Sequence, residues 1–433
     1  MKFRFERYLK QFCRLRSSWL QTLPAETSEK NVTSQKLCLP QPDYDTEFLC
    51  NPKNRDAIFN NIKRRKNIGD IDKILELSDK PEKQKLFLEE LSKLPNFTHP
   101  AVIDYGNVPK LLKQCGEKVK FDFEPKEFAE LVTDLKAMRI QNLGPIAGQR
   151  SYIFLGDLAE LEEALIQYTI RELMKHGFKL ISVPDIIQTE VIERCGLITD
   201  DRTLVYNLDP CCGDDYSLSG TAEMSLARKL INTTFPYDKL PLKLAAVSRC
   251  YRAEASSALD ERGIYRVHQF TKVEMFVCSE PCQSEKVFQD LQNIQGELFS
   301  SLGLHFQVMD MPPSDLGSSA YRKYDIEGWM PGRKQYGELS SCSNCTDYQS
   351  RRLNIKYKTK EGNTVYMHTL NGTACAIPRM LIALCETYQT KHHRITVPEK
   401  LVPLMKGKTL IKKQPIADMR IYKYKQKLNL SKT

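Results

Sequence analysis

The chain has 433 residues, of which 41% are hydrophobic and 27% charged, and its formal net charge is +10. This length suffices for two or three domains with a sizeable core. No apolar run approaches the eighteen or so residues of a membrane span, so no membrane partner is expected. The positive charge lies at the two ends: residues 1–22 carry +5, residues 406–433 carry +8, and the body between them carries −3. A plain basic RNA-binding protein would account for the ends and for nothing else.

The first residues of the chain are basic and interleaved with apolar side chains, and Glu6 is the single acid before Glu26. This composition resembles a mitochondrial transit peptide and predicts a leader over residues 1–30 and a location in the mitochondrial matrix. A basic arm retained for RNA binding is the alternative. A secretory signal is disfavoured because no continuous apolar segment follows the charges.

Fourteen cysteines without regular spacing argue against a disulfide framework in a chain of this size. We expect them to be reduced. Cys342-Ser-Asn-Cys345 supplies two of the four ligands that a structural zinc site requires, so no zinc is expected.

Helical spacing predicts three short helices near the start of the chain, over residues 54–66, 71–77 and 81–94. Pro81 suits a first helical turn, and Pro95 ends the last helix. A longer amphipathic helix is predicted over 157–176, where Asp157 and Glu160 have the spacing of an N-terminal cap. A strand over 178–183, closed by Pro184, follows it.

Strands predominate in the central part, and two further helices are predicted over 285–302 and 379–387. No Gly-rich dinucleotide or P-loop motif is present. The sequence therefore predicts an antiparallel α+β fold.

The stretch from 250 to 276 is the most informative segment of the chain. Strands are predicted over 246–251 and 265–277, and the alternation of the second strand places Phe270, Lys272 and Glu274 on one face. Arg252 and Glu254 precede the loop between the strands. A planar cation, a stacking ring and two carboxylates suit a nucleotide bound beside a small zwitterion.

Four segments resemble the seryl-tRNA synthetases, in the order of that family. Tyr251-Arg-Ala-Glu254 with Arg262-Gly-Ile-Tyr-Arg-Val-His-Gln-Phe-Thr-Lys-Val-Glu-Met275 resembles its motif 2, and Ser219-Gly-Thr-Ala-Glu223 resembles its serine-binding loop. Glu338-Leu-Ser-Ser-Cys-Ser-Asn344 and Leu370-Asn-Gly-Thr-Ala-Cys-Ala-Ile-Pro-Arg379 resemble the segments that follow, the latter being motif 3. The resemblance covers about residues 120–405. It is greatest to the mitochondrial branch of the family, which tolerates a proline at the position of Pro378 where other branches commonly have glycine.

The resemblance implies a class II synthetase fold, in which an antiparallel sheet is flanked by helices and preceded by a short N-terminal helical appendage. The helix and strand at 157–183 would be motif 1, the dimer interface of that class. The expected domains are the leader (1–30), a helical region with a shortened arm (31–115), the catalytic domain (116–405) and a basic tail (406–433).

The resemblance also implies the roles of individual residues. Arg252 and Arg379 are the expected catalytic residues, gripping the α- and γ-phosphates of ATP. The other ATP-binding residues would be Glu254, Phe270, Glu338 and Ser341, and the last two would also ligate Mg²⁺. The serine-binding residues would be Thr221, Ala222, Glu223, Arg252, Glu274, Asn371 and Thr373. His268 could be mistaken for a general base, but attack by a carboxylate requires none.

The implied activity is ATP-dependent formation of seryl-adenylate and transfer of serine to mitochondrial tRNA(Ser), by a dimer that is expected to be a homodimer. A heterodimer with a synthetase-like paralogue stays open, as does a catalytically inactive synthetase-like protein that binds a partner or RNA. A helix of about fourteen residues reaches only about 21 Å, far less than the arm with which the family reaches tRNA. The basic tail could replace that arm or could only aid solubility.

Overall fold

A mixed eight-stranded sheet forms the centre of the protein, and its strands lie in the order β1 (Lys110–Cys115), β11 (Phe306–Asp310), β12 (Arg322–Met330), β13 (Gln335–Asn344), β16 (His368–Ala376), β10 (Gln269–Ser279), β9 (Leu242–Tyr251) and β4 (Lys179–Leu180). The computed structural model describes residues 39–413 and 415, except 141, 142, 144–147, 149, 198–203, 210, 212–214 and 255–262. The predicted leader and the end of the basic tail lie outside the described residues. Residues from Pro40 onward belong to one compact unit.

The helices are α1 Thr46–Leu49, α2 Arg55–Arg64, α3 Ile71–Ser78, α4 Gln84–Lys93, α5 Phe128–Asp134, α6 Asp157–Lys175, α7 Thr189–Arg194, α8 Ala222–Lys229, α9 Ser284–Ser301, α10 Tyr348–Leu353 and α11 Ile377–Thr387. The strands of the large sheet are β1 Lys110–Cys115, β4 Lys179–Leu180, β9 Leu242–Tyr251, β10 Gln269–Ser279, β11 Phe306–Asp310, β12 Arg322–Met330, β13 Gln335–Asn344 and β16 His368–Ala376. The short strands are β2 Met138–Arg139, β3 Ile153–Phe154, β5 Ile186–Gln188, β6 Tyr206–Asn207, β7 Tyr216–Leu218, β8 Thr234–Phe235, β14 Lys356–Lys358, β15 Thr364–Tyr366, β17 Ile395–Thr396 and β18 Leu410–Ile411.

The central strands pair antiparallel, as predicted, and the edge strand β4 pairs parallel with β9. Helices α6, α9 and α11 pack on one face, and the main core lies between them and the sheet. The other face of β10 carries Phe270, Lys272 and Glu274 toward a cavity. The sheet thus separates a core on one side from a polar site on the other.

The boundaries of several elements differ from the prediction; the strand predicted over 178–183, for example, spans only Lys179–Leu180. Two further differences have a clear structural cause. The second strand begins at Gln269, not at residue 265, because Gly263 (φ +74°) and the residues after it form a turn. Helix α6 has Gly156 at its N-cap, so the predicted cap by Asp157 is wrong. Asp157 and Glu160 instead bind the ammonium of Lys408, with 2.9 Å between Nζ and Glu160 Oε2.

A separate small core joins the N-terminal helices α2, α3 and α4. Its buried side chains are Ile58, Ile62, Ile71, Ile74, Leu77, Phe87, Leu91 and Leu94. The three predicted helices are therefore present and pack on one another. None of the helices in the described ranges combines the length and apolarity needed to cross a bilayer.

Candidate active site

A cavity of about 170 Å³ opens above strands β9, β10, β13 and β16. Eleven of the twelve residues predicted for the site line it: Thr221, Glu223, Arg252, Glu254, Phe270, Glu274, Glu338, Ser341, Asn371, Thr373 and Arg379. Ala222, the remaining one, is fully buried at the start of α8. Segments up to 158 residues apart in the sequence therefore meet at one site.

Strand β10 forms the floor of the cavity, and the places of its side chains depend on their alternation and on one irregularity in the pairing of the strand. Glu274 lies opposite Ala246 on β9 and opposite Thr373 on β16, where the register shifts between Val273 and Glu274. A similar shift occurs where β13 pairs with β12, close to Glu338. Because a bulge reverses the alternation locally, Glu338 and Ser341 both line the cavity although they are three residues apart.

One end of the cavity is a buried network around Glu274, which is 1% exposed. Lys272 Nζ lies 2.7 Å from Glu274 Oε2 and donates a hydrogen bond of 2.6 Å to Thr221 Oγ1. Thr373 Oγ1 donates to the same carboxylate oxygen over 3.2 Å. A carboxylate with two hydroxyl groups beside it can bind an ammonium group and a small alcohol.

Glu223 lies next to this network at the start of α8. Its carboxylate accepts hydrogen bonds from Gln349 Nε2 (2.6 Å) and Asn371 Nδ2 (3.0 Å). Burial, together with the nearby charge of Glu274, raises the pKa of Glu223 to about 7. This end of the site therefore gains negative charge as the pH rises through neutrality.

The other end of the cavity holds two arginines beside aromatic rings. The guanidinium carbon of Arg252 lies 5.4 Å from the centre of the Phe270 ring. That of Arg379 lies 4.6 Å from the centre of the Tyr265 ring, and its Nη1 contacts Glu338 Oε2 at 2.9 Å. Burial acts to raise the pKa of Glu338, but Arg379 and Lys323 together hold it well below its ordinary value. An ionised carboxylate and two guanidinium groups thus face the same space.

Glu254 has a backbone φ of +44°, which is uncommon for a residue with a side chain. Its carboxylate contacts Arg266 Nη1 at 3.1 Å. The rest of the loop, residues 255–262, including the Arg262 of the predicted motif, lies outside the described residues.

Among the side chains that hold the predicted site residues in place, Lys272, Tyr265 and Gln349 were not assigned to the site from the sequence. The alternation of β10 placed Lys272 on the face of Phe270 and Glu274, but no role in the site was assigned to it. Tyr265 holds Arg379 through its ring and through its carbonyl oxygen, which accepts from Nε at 3.3 Å. Gln349 belongs to a helix distant in sequence, and no local pattern indicates its contact with Glu223.

His268 and the Cys342–Cys345 pair do not line the cavity. His268 Nδ1 lies 2.9 Å from Tyr206 Oη and 3.1 Å from the carbonyl oxygen of Arg252, so its ring makes structural contacts outside the cavity. Both cysteines are buried, and burial raises the pKa of each thiol. Within the described part of the chain, no group of three or more His, Cys, Asp or Glu residues is placed to hold a metal ion.

A class II synthetase is expected to have an antiparallel sheet that carries a stacking ring, two arginines and a carboxylate in one cavity, as this chain does. Residues 206–388 match the family model "tRNA synthetase class II core domain (G, H, P, S and T)". The protein therefore has a class II aminoacyl-tRNA synthetase core. It is 42% identical over 328 residues to the serine–tRNA ligase of Treponema denticola, an alignment that covers 74% of this chain and 77% of that relative. The chain belongs to the seryl-tRNA synthetase family.

Two further comparisons agree with this assignment. The mitochondrial serine–tRNA ligase of Bos taurus is 41% identical over 326 residues, which are 74% of this chain and 63% of that relative. The crystal structure of seryl-tRNA synthetase from Pyrococcus horikoshii complexed with ATP aligns with a TM-score of 0.73 and 30% identity over 84% of this chain and 88% of that one. The predicted family and fold class are confirmed, and the chain spans slightly less than two thirds of the bovine relative.

Proposed function

We propose that this chain is an active seryl-tRNA synthetase, which forms seryl-adenylate from L-serine and ATP and transfers serine to mitochondrial tRNA(Ser). The observation that carries the proposal is the composition of this cavity. A buried carboxylate with two hydroxyl groups lies at one end, and two arginines with stacking rings lie at the other. A small zwitterion with a hydroxyl group and a nucleoside triphosphate together match these two ends.

At the nucleotide end, Phe270 stacks on adenine, and Glu254 lies near the adenine amino group. Arg252 binds the α-phosphate, and Arg379 binds the γ-phosphate. Their positive charges stabilise the charge that develops on phosphate oxygens while the α-phosphorus is attacked. Arg379 is held for this role by the Tyr265 ring and by Glu338.

The donors beside the arginines fit a magnesium ion. Glu338 is ionised, Ser341 offers a hydroxyl oxygen on the same face, and oxygen ligands with substrate phosphates are what Mg²⁺ prefers. When bound, Mg²⁺ would neutralise phosphate charge.

At the serine end, Glu223 and Glu274 supply negative charge for the ammonium group, and Thr221, Asn371 and Thr373 supply hydrogen bonds. Ala222 contributes the start of α8. A pocket that hydrogen-bonds a hydroxyl group rejects alanine, because its own polar groups would stay unpaired.

The chemistry needs positioning more than acid–base catalysis. A carboxylate oxygen of serine attacks the α-phosphorus of ATP, a P–O bond forms, and the bond to pyrophosphate breaks. The carboxylate is already an anion, so no base is required. A hydroxyl group at the 3′ end of tRNA then attacks the carbonyl carbon of the adenylate, giving seryl-tRNA and AMP.

Serine-dependent exchange of labelled pyrophosphate into ATP, measured on the purified full-length chain, tests the proposal directly. We expect exchange with serine and far less with alanine or threonine. A folded chain without any serine-dependent exchange would favour the alternative, a catalytically inactive synthetase-like protein.

The pKa of Glu223 leads to a pH prediction. The carboxyl group is protonated below about pH 7 and ionised above it, and the ionised form attracts the ammonium of serine. The KM for serine in the exchange reaction should therefore fall by up to about tenfold from pH 6 to pH 8. In Glu223→Gln the KM should be high and independent of pH, whereas Glu163→Gln on the exposed side of α6 should keep the wild-type profile. An unchanged pH profile in Glu223→Gln would contradict this assignment.

The dimer and the location are also proposals. Large apolar side chains are exposed around the predicted motif 1, including Met174 (58%), Leu180 (47%) and Ile186 (51%). A second copy of the chain would cover them, as the class II dimer interface does. The basic leader over residues 1–30 and the name of the bovine relative support a mitochondrial location, in the matrix.

The basic tail leads to another prediction. Strand β18 pairs with β17, and Ile411 is fully buried, so a deletion that spares the body removes residues 416–433. This deletion removes five cations and one acid. We expect weaker tRNA charging and unchanged pyrophosphate exchange. A plot of the logarithm of the tRNA binding constant against the logarithm of the salt concentration should become shallower by roughly 0.7–0.9 for each phosphate that the tail neutralises. An unaltered dissociation constant for tRNA and an unaltered salt slope would mean that the tail does not contact tRNA.

A further inference from the structure

The N-terminal helices are joined to the catalytic body through a buried arginine. Arg65, directly after α2, is 2% exposed, and its guanidinium donates to carbonyl oxygens on both sides of the junction. Nη1 donates to Asn96 (3.1 Å) and to Ala320 (3.0 Å), and Nη2 donates to Gly317 (2.5 Å). Burial lowers the pKa of Arg65 to about 10, so the group is still charged at neutral pH. A charge that is buried with only carbonyl partners is costly unless its geometry is maintained.

Asn96 makes the second connection. Its Nδ2 donates to the carbonyl oxygens of Ser319 (2.8 Å) and Cys345 (2.9 Å) and to Thr346 Oγ1 (2.9 Å). Asn96 thereby fixes the end of β13 and the turn that leads into α10. Both segments belong to the catalytic body.

These two segments contact the serine end of the cavity. Cys345 Sγ lies 3.8 Å from Asn371 Oδ1, and Gln349 on α10 donates to Glu223. Asn371 also donates to Glu223, so both hydrogen bonds to this carboxylate come from residues next to the junction. At the nucleotide end, no contact of this kind with the N-terminal helices is found among the described residues.

The charge of the α3–α4 hairpin argues against a role in RNA binding. Residues 70–93 contain five lysines and seven acids. Four of the lysines form ion pairs within the hairpin: Lys73 and Lys93 with Glu90, Lys80 with Glu76, and Lys85 with Glu89. A net negative surface, most of whose cations are already paired, repels phosphates.

We propose that residues 54–98 act as a brace that positions the serine end of the cavity, with Arg65 and Asn96 as positioning residues. The brace holds residues 317–320 and 345–346 against α2 and thereby sets the places of Asn371 and Gln349, which orient Glu223. The inference rests on the proposed function, since serine is the ligand whose binding the brace controls. Through this brace the short helical segment acts on the serine end of the cavity.

The test uses the full-length chain with Arg65→Gln and Asn96→Ala, and with Arg64→Gln as the matched control, since Arg64 is exposed one residue away. Pyrophosphate exchange is measured well below the melting temperature of each variant. We expect the KM for serine to rise by about tenfold in both test variants, which corresponds to about 1.4 kcal/mol, while the KM for ATP stays within about twofold. Arg65→Lys, which keeps the charge and some donors, should recover part of the serine affinity.

Hydrogen–deuterium exchange supplies a readout that does not depend on activity. Peptides from 219–226 and 345–353 should exchange faster in Arg65→Gln than in Arg64→Gln, and peptides from β13 at 335–339 should not change. Equal increases of both KM values, or lower melting temperatures with unchanged KM values and unchanged exchange at 219–226, would overturn the brace. Faster exchange at 219–226 in a chain whose wild type does not activate serine would support the brace and refute the proposed function.

Discussion

Replacing Arg379 with alanine is expected to reduce serine-dependent pyrophosphate exchange by roughly 100- to 1,000-fold, and replacing Arg252 should have a similar effect. Each substitution removes a charge contact that strengthens as negative charge develops on the phosphate oxygens. Loss of one preorganised donor of this kind costs about 2.7–4 kcal/mol in other enzymes. Arg379 is also the closer partner of Glu338, so its removal should raise the pKa of that carboxyl group.

Single-turnover formation of adenylate separates this effect from weaker ATP binding. Arg394→Ala, a substitution of an exposed arginine after α11, is the matched control and should retain wild-type exchange. Circular dichroism should show that all three variants are folded. If Arg252→Ala and Arg379→Ala exchanged at near the wild-type rate, these arginines would not be the phosphate-binding residues.

The sequence predicted most of the floor of the site because that floor depends on local periodicity. Phe270, Lys272 and Glu274 alternate along one strand, and alternation alone places them on one face. The family resemblance then identified the partners of this strand in distant segments. The cavity contains these partners, although their roles stay predictions.

What the sequence could not provide were features decided by long-range packing. The pairing of Lys408 with Asp157 and Glu160 joins residues about 250 positions apart, so the two acids looked like a local cap. The bulge near Glu338 depends on how β12 and β13 twist together, and a single strand does not reveal it. The same holds for Gln349, which reaches Glu223 only after α10 packs against α8.

The shortness of the α3–α4 hairpin bears on which parts of the chain can contact tRNA. A hairpin of about ten residues per helix cannot reach distant parts of a tRNA, and its surface is net negative. Its apolar core nevertheless packs it on α2, and the buried Arg65 attaches α2 to the body. Recognition of RNA would then fall to other cations, and the proposed brace gives the segment a role at the serine end of the cavity.

The ion pair between Lys272 and Glu274 leads to the second prediction of large effect. Both side chains are buried, at 7% and 1% exposure, so removing one leaves the other without its counter-charge. Lys272→Met should therefore lower the free energy of unfolding by about 3–5 kcal/mol, and Glu274→Gln should lower it as well.

The double variant, Lys272→Met with Glu274→Gln, separates stability from serine recognition. It leaves neither member of the pair without its counter-charge, so chemical denaturation should show that at least half of the lost free energy is recovered. The KM for serine should nevertheless stay high in the double variant, because the carboxylate that faces the ammonium group is absent, while the KM for ATP should change little. Lys85→Met paired with Glu89→Gln, at the exposed ion pair of α4, is the matched control and should change stability by no more than about 0.5 kcal/mol. If the losses of unfolding free energy in the two single variants simply added in the double variant, the pair would not be coupled. If serine affinity returned together with stability, Glu274 would support the architecture of the pocket and would not bind serine.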